Sequence, residues 1–318
     1  DKHEEWENSH LQKKQPIELV NAVQSKIISG PRYQAGWFKQ FRVLFYRAML
    51  SAKRDKMVSG ITIIQGLILG IVVGLMYLRL SYNQENIQNF AGLIFCIVTN
   101  LSFDSLQGVM FVFPMELPVF LREHKNGMYR TDTYYLAKTL AEVPIFSLSA
   151  VVLISICYWM TGLREEADSF FICIALGILI ANTASSFGFV ISTMTTSVEA
   201  ANALGPAMML PLFLFGGLFV NNDTVPDYFI WLRYLSWFNY GFENMMINQW
   251  KDYPGTISCD YNRTSSSTPC LTTGNMILDR YQLHEDNFYP NLYYTAILLV
   301  AFRIISFLML YYRASKKD

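Results

Sequence analysis

Six stretches of this 318-residue chain are apolar for as long as a helix needs to cross a lipid bilayer. They lie at about 57–78, 90–113, 139–161, 169–194, 201–220 and 291–312. A hydrocarbon layer about 30 Å thick takes ~20 residues at ~1.5 Å rise each. Lipid offers the backbone no hydrogen-bond partners, so each segment must satisfy its own N–H and C=O groups. The runs therefore predict an all-α polytopic membrane protein with six transmembrane helices. The alternating pattern of a membrane barrel is absent. Composition agrees, with 52% hydrophobic and 16% charged residues, against about 25% charged in soluble domains. Three runs carry no charge, and the others carry one each: Asp104, Glu142 and Arg303. The net charge of zero gives no reason to expect nucleic acid as a partner.

Lys and Arg are distributed unevenly. Segment 36–56 holds Lys39, Arg42, Arg47, Lys53, Arg54 and Lys56; loop 114–138 holds Arg122, Lys125, Arg130 and Lys138. The tail 313–318 adds Arg313, Lys316 and Lys317, while the opposite short loops hold Arg79 and Arg164 alone. The positive-inside rule puts both termini and the 114–138 hairpin in the cytoplasm. The 221–290 loop is then extracellular, or inside an organelle. It contains Cys259 and Cys270, which an oxidising compartment would pair, the alternative being two free thiols. Asn262-Arg263-Thr264 is a glycosylation sequon.

Residues 1–35 are polar and read as a linker. Residues 36–56 are amphipathic, with Trp37, Phe41, Leu44, Phe45 and Ala48 on one helical face, and suit a helix along the membrane surface. Residues 224–250 are rich in aromatics but too interrupted to span. They predict short re-entrant or interfacial helices, with Trp231, Trp237 and Trp250 at the membrane boundary.

No Gly-x-x-x-x-Gly-Lys-Ser/Thr phosphate loop occurs, and none of the four histidines lies in a span. No catalytic constellation and no metal-ligand spacing is visible. The second run places Asn100, Phe103, Asp104, Gln107 and Phe111 on one helical face. That face either lines a cavity or makes helix–helix hydrogen bonds. An intramembrane charge is costly, so Asp104 should meet a partner or water. Asp104, Glu142 and Arg303 share one depth, ~14 Å above the inner boundary. Arg303 can pair with Glu142 or Asp104; Glu142 can instead pair with Lys138 one turn away. Asn182, Ser185, Ser186 and Phe189 share a face suited to close helix packing. Pro206, Pro211, Gly216 and Gly217 make the fifth run bendable, as a static kink or a gate.

The segment PVFLREHKNGMYRTDTYYLAKTLAEVP, above all its NGMYR core, resembles the intracellular hairpin of half-transporters of the ABC transporter G subfamily, or White family. The resemblance continues through FGGLFVNNDTVPDYFIWLRYLSWFNYGFENMMINQW and FRIISFLMLYYRASKKD, covering nearly everything from residue 36. Within the subfamily, GLFVNNDTVPDYFIWLRYLSWFNYGFE most resembles the white and scarlet type of insect eye-pigment precursor transporters.

The resemblance implies an ABC-2 type exporter membrane domain that works as a homo- or heterodimer with a second half-transporter. It implies an upstream nucleotide-binding domain, missing here and joined through 1–35, which would bring ATP and magnesium; this chain itself holds no cofactor. Segment 36–56 resembles the connecting helix. Residues 121–130, with Leu121, Arg122, Glu123, His124, Lys125, Tyr129 and Arg130, resemble the coupling helix. Asn100 and Phe103, with Leu210 and Phe213, match cavity positions. Leu218 and Phe219 match an apolar plug. The expected cargo is a small aromatic metabolite, such as a tryptophan- or guanine-derived pigment precursor, moved across a plasma or granule membrane. A sterol or lipid cargo, or a membrane receptor or scaffold without transport, are the alternatives.

Overall fold

A computed structural model describes residues 33, 35–54, 56–219, 227–253, 255, 257–258 and 270–316. Cys259, Asn262 and most of the 1–35 linker lie outside the described residues. The described part contains helices and turns and no named strand. Helix α1 spans Trp37–Arg54, α2 Lys56–Met76, α3 Ile87–Lys125, α4 Thr131–Thr161 and α5 Ala167–Met194. Then follow α6 Val198–Leu214, α7 Ile230–Leu235, α8 Trp237–Trp250, α9 Gly274–Arg280 and α10 Phe288–Ser315.

Every one of the six apolar runs falls on a helix. Four helices are long and apolar enough to cross a membrane, and two apolar helices are shorter, Gly60–Met76 and Val198–Leu214. At 17 residues, α6 is about 25 Å long, at the lower limit for a span. It stops at Leu214, short of the expected 220, because Gly217 takes φ +90°, a left-handed conformation that cannot continue the helix.

Helix α5 forms the centre. It packs against α3, α4, α8 and α10, and its residues from Ile180 to Thr193 are buried. Small side chains allow that approach, with Gly177, Ala181, Ala184 and Gly188 at helical spacing. A Cβ on Gly188 would lie 3.1 Å from the Leu106 carbonyl oxygen and 3.1 Å from the Val109 Cβ. The hydroxyls of α5 bond its own backbone: Ser185 and Ser186 donate to the Asn182 carbonyl at 2.9 and 2.6 Å. The expected packing face of Asn182, Ser185, Ser186 and Phe189 is accordingly buried.

Two expectations change. The 114–138 segment is not a free loop. Helix α3 runs unbroken through Pro114 and Pro118 to Lys125, and only 126–130 separates it from α4. Phe113, Leu117 and Phe120 are buried on both sides of the prolines, so packing carries the helix across the missing backbone hydrogen bonds. The second change concerns α8. Trp237 and Trp250 do not present their rings to the surroundings; both are fully buried within the protein. The Trp237 indole N–H donates to Ser102 Oγ at 3.0 Å, and the Trp250 ring lies edge-on to Phe90 at 5.3 Å. Trp231 is exposed, as an interfacial residue would be. Cys96, Cys157 and Cys173 carry free thiols.

Gly188→Ala should destabilise the protein by about 1–3 kcal/mol, because the contact met is backbone and cannot swing aside. Gly60 on α2 has nothing within 4 Å of an added Cβ, so Gly60→Ala should stabilise by roughly 0.5–1 kcal/mol. Thermal unfolding in one detergent checks both, and equal melting temperatures for the two variants would refute the packing argument.

Candidate functional site

The polar and aromatic side of α3 is the starting point. Asn100, Phe103 and Gln107 are half-buried at spacings of three and four, so they share an open strip of the helix. The Asn100 amide donates to the Cys96 carbonyl at 2.8 Å. Helix α6 lies beside this strip. The Phe213 ring meets Phe103 at 6.5 Å and Phe95 at 5.2 Å. Phe219, just beyond the Gly217 turn, packs on Phe95 at 5.3 Å and on Phe213 at 5.2 Å. Leu210 and Phe219 are each 57% exposed, and Leu218 is half-buried. The result is an open aromatic face across α3 and α6. Phe95 joins its rings, although the sequence reading did not single it out.

Asp104 leaves this face. It is 5% exposed and accepts a hydrogen bond from Ser149 Oγ on α4 at 2.8 Å. It lies at the edge of the arc, 40° round the helix from Asn100 at 100° per residue, and that edge turns toward α4.

The expected pairing of Arg303 with Glu142 or Asp104 is not formed. Lys138 Nζ lies 2.7 Å from Glu116 and 3.3 Å from Glu142, so Glu142 takes the partner on its own helix. Arg303 donates to Ser185 Oγ at 3.3 Å and sits 4.8 Å from the Phe189 ring centroid. Equal depth along the sequence does not fix which way each side chain faces, and α5 supplies the nearer groups.

At the hairpin end, α1 is fastened to the turn. Arg47 forms a forked pair with Glu123, at 3.0 and 3.3 Å. The Tyr129 hydroxyl donates to the same carboxylate at 2.5 Å. Burial, and then Glu123, hold the Tyr129 hydroxyl well above the usual phenol range, so it stays a donor. The Glu123 hydrogen bond raises the Arg47 guanidinium above its ordinary value against the opposing effect of burial. Gln40 is buried; its Oε1 accepts from the Arg130 backbone N–H at 3.1 Å and from Thr133 Oγ1 at 3.5 Å. Trp37 donates to Asp132 at 3.1 Å. His124 stacks on Phe120, with its Nδ1 3.0 Å from the Tyr129 carbonyl. The expected coupling residues thus divide. His124 and Tyr129 face inward, Glu123 is held by α1, Leu121 is half-buried, and Arg122, Lys125 and Arg130 are exposed. Gln40 and Asp132 were not predicted, because a polar residue on an amphipathic helix reads as solvated until its partner is in place.

Gln40→Met leaves the Arg130 N–H without its acceptor and should cost about 1–3 kcal/mol. Arg47→Ala should cost less, about 0.5–1 kcal/mol, since that pair is partly exposed. Chemical or thermal unfolding in detergent would measure both, and a larger loss for Arg47→Ala would reverse the ranking.

A family model described as "ABC-2 type transporter" matches residues 39–250, more than half of the chain. The chain is 40% identical to "Protein white" of Drosophila melanogaster over 291 residues, covering 91% of this chain and 42% of that protein. It is 30% identical to "Protein scarlet" of the same organism, covering 88% of this chain and 42% of that one. It is 29% identical to "Broad substrate specificity ATP-binding cassette transporter ABCG2" of Mus musculus, covering 88% and 43%. The chain spans less than half the length of the curated relatives it matches. On the family match and the helical architecture together, the chain belongs to the ABC-2 type transporter family, as a membrane domain of that family.

Proposed function

We propose that this chain is the membrane-spanning half of an ATP-driven half-transporter that moves small aromatic metabolites as a dimer. The observation that carries the reading is the open face of Asn100, Phe103, Gln107, Leu210 and Phe213. One chain leaves these rings and amides half-exposed, and a second half-transporter laid against them would enclose them. Ring edges at Phe103 and Phe213 would stack on a flat cargo, and the Asn100 and Gln107 amides would bond its polar groups. Resemblance to eye-pigment precursor transporters supports a tryptophan- or guanine-derived cargo. With Asp104 turned to Ser149, the cargo is recognised without a carboxylate.

The charge asymmetry supports placing the hairpin end in the cytoplasm, where an upstream nucleotide-binding domain would meet Arg122, Lys125 and Arg130. Nucleotide-driven closure would move the Arg47–Glu123 junction and with it α3. Cargo would then pass Leu218 and Phe219 toward the opposite side. Transport needs the two states to differ in cargo affinity.

The withdrawal of Asp104 favours one further reading. Without that charge, Phe103, Leu210 and Phe213 would also accept a sterol or other lipid. Vesicle uptake by the full-length protein, with candidate partner halves, tests aromatic amines against sterols. ATP-dependent accumulation of the aromatics supports the first reading; accumulation of sterol alone transfers support to the second; no ATP dependence removes both. Phe103→Ala should lower uptake about 2- to 10-fold at unchanged expression. Asp104→Asn should leave the concentration dependence of uptake unchanged, whereas a rise in KM would return Asp104 to the cargo site.

A further inference from the structure

Two cavities adjoin between α1, α3 and α4. The larger, about 330 Å³, has apolar walls of Leu44, Ala48, Val112, Met115, Val119 and Phe120. The smaller, about 60 Å³, reaches past Thr62 and Gly108 to Glu142. Ser51, Val112, Glu116 and Lys138 line both, so the two form one crevice with a wide apolar end and a narrow charged one. The wide end is within the size range of small-molecule pockets.

The charges at the narrow end do not balance one another. Lys138 Nζ lies 2.7 Å from Glu116 and 3.3 Å from Glu142, one ammonium for two carboxylates. Arg47, at the wide end, is already matched by Glu123. Arg303 turns to Ser185 and Phe189 of α5. Two acceptors are left over as well. Glu142 is 8% exposed and its Oε2 has no hydrogen-bond partner; the same holds for the hydroxyl of Tyr134, which is 9% exposed and lines the wide end. The Glu116 carboxylate is partly open to the crevice. Unfilled acceptors beside one excess negative charge suit a donor that is itself positive. Water brings donors without charge, and an inorganic cation leaves the apolar walls unused. An ammonium on an aromatic body uses both ends.

We propose that the crevice is an approach site for protonated aromatic amines, with the ammonium among Glu116, Glu142 and Tyr134 and the ring along Met115 and Val119. This deepens the proposed function and rests on it: the charge of the cargo is read in the crevice, and its ring at the aromatic face, where Asp104 is turned away. A path joins the two sites. Gln107, Phe111 and Met115 follow one another at spacings of four on α3, and Phe111 and Met115 are exposed.

The test uses full-length protein without nucleotide, in lipid nanodiscs, titrated with a photoreactive tryptamine and read by mass spectrometry of the labelled peptides. Saturable labelling should fall on 112–119 of α3 and 44–51 of α1. Tryptamine should displace it at a concentration about 10-fold lower than N-acetyltryptamine, which keeps the ring and loses the charge. Glu116→Gln should raise the half-labelling concentration about 10-fold, whereas Asp168→Asn, at the start of α5, should leave it unchanged. Wild-type labelling of Glu116→Gln would overturn the proposal. So would equal displacement by the two competitors, or labelling confined to other segments, the aromatic face included; both are read on the unmutated protein and decide even if the variant misfolds. Crevice labelling without ATP-driven uptake would sink the transport reading and leave an amine-binding site standing, while uptake without crevice labelling would remove the approach site alone.

Discussion

The architecture depends on how closely α5 lies against its neighbours. Between lipid-exposed helices the hydrophobic effect gives little drive, because lipid tails are as apolar as leucine. Association then rests on close packing and on polar groups that need no outside partner. Helix α5 supplies both. Gly188 brings its backbone against Leu106 and Val109 of α3. Thr183, Ser185 and Ser186 return their hydroxyl protons to carbonyls on α5 itself. Its 180–193 stretch is therefore buried with most of its hydroxyls bonded, and α3, α4, α8 and α10 take their places around it.

Charges inside the bundle follow the same economy of partners. Removing a charge from water costs several kcal/mol unless geometry returns it. Lys138 stands between Glu116 of α3 and Glu142 of its own helix, joining the two with short contacts. Arg303 finds no carboxylate among the described residues. It rests against an aromatic ring and a serine hydroxyl of α5 instead. Guanidinium suits that surrounding, being planar and more weakly hydrated than an ammonium. Lysine in the same place would lose the stacking.

The number and position of the apolar helices were legible because length and hydrophobicity act locally and lipid leaves the backbone no alternative. Rotation about each helix was less legible. Counting put Asp104, Glu142 and Arg303 at one level, and they do lie on helices that share a bundle, yet none pairs with another. Periodicity put Asp104 with Asn100 and Gln107; a 40° offset and the nearby Ser149 hydroxyl decided otherwise. Helix α8 misled for a different reason. Its indoles, Trp237 and Trp250, look interfacial in sequence. They are buried among tertiary contacts instead, Trp237 donating to Ser102 and Trp250 lying edge-on to Phe90. Gln40 escaped notice for the same reason: its acceptor role exists only once the α4 N-terminus is alongside.

These placements bear on how force could travel in the proposed transporter. Glu123 at the junction with α1 and Phe103 on the aromatic face belong to one helix, twenty residues and about 30 Å apart. Between them lie Pro114 and Pro118, each lacking a backbone N–H. Left alone, such a pair would make α3 a hinge and decouple its ends. The structure counters this on one side only. Phe113, Pro114, Leu117 and Phe120 are buried against the bundle, while Met115, Pro118 and Val119 face outward. A helix braced along one side across its prolines resists bending more than it resists sliding along the brace. Motion of the Arg47–Glu123 junction would therefore reach Phe103 mainly as a shift or rotation of α3 as a whole. Such a movement changes the ring contacts among Phe103, Phe213 and Phe95, the contacts that set how well a flat cargo fits.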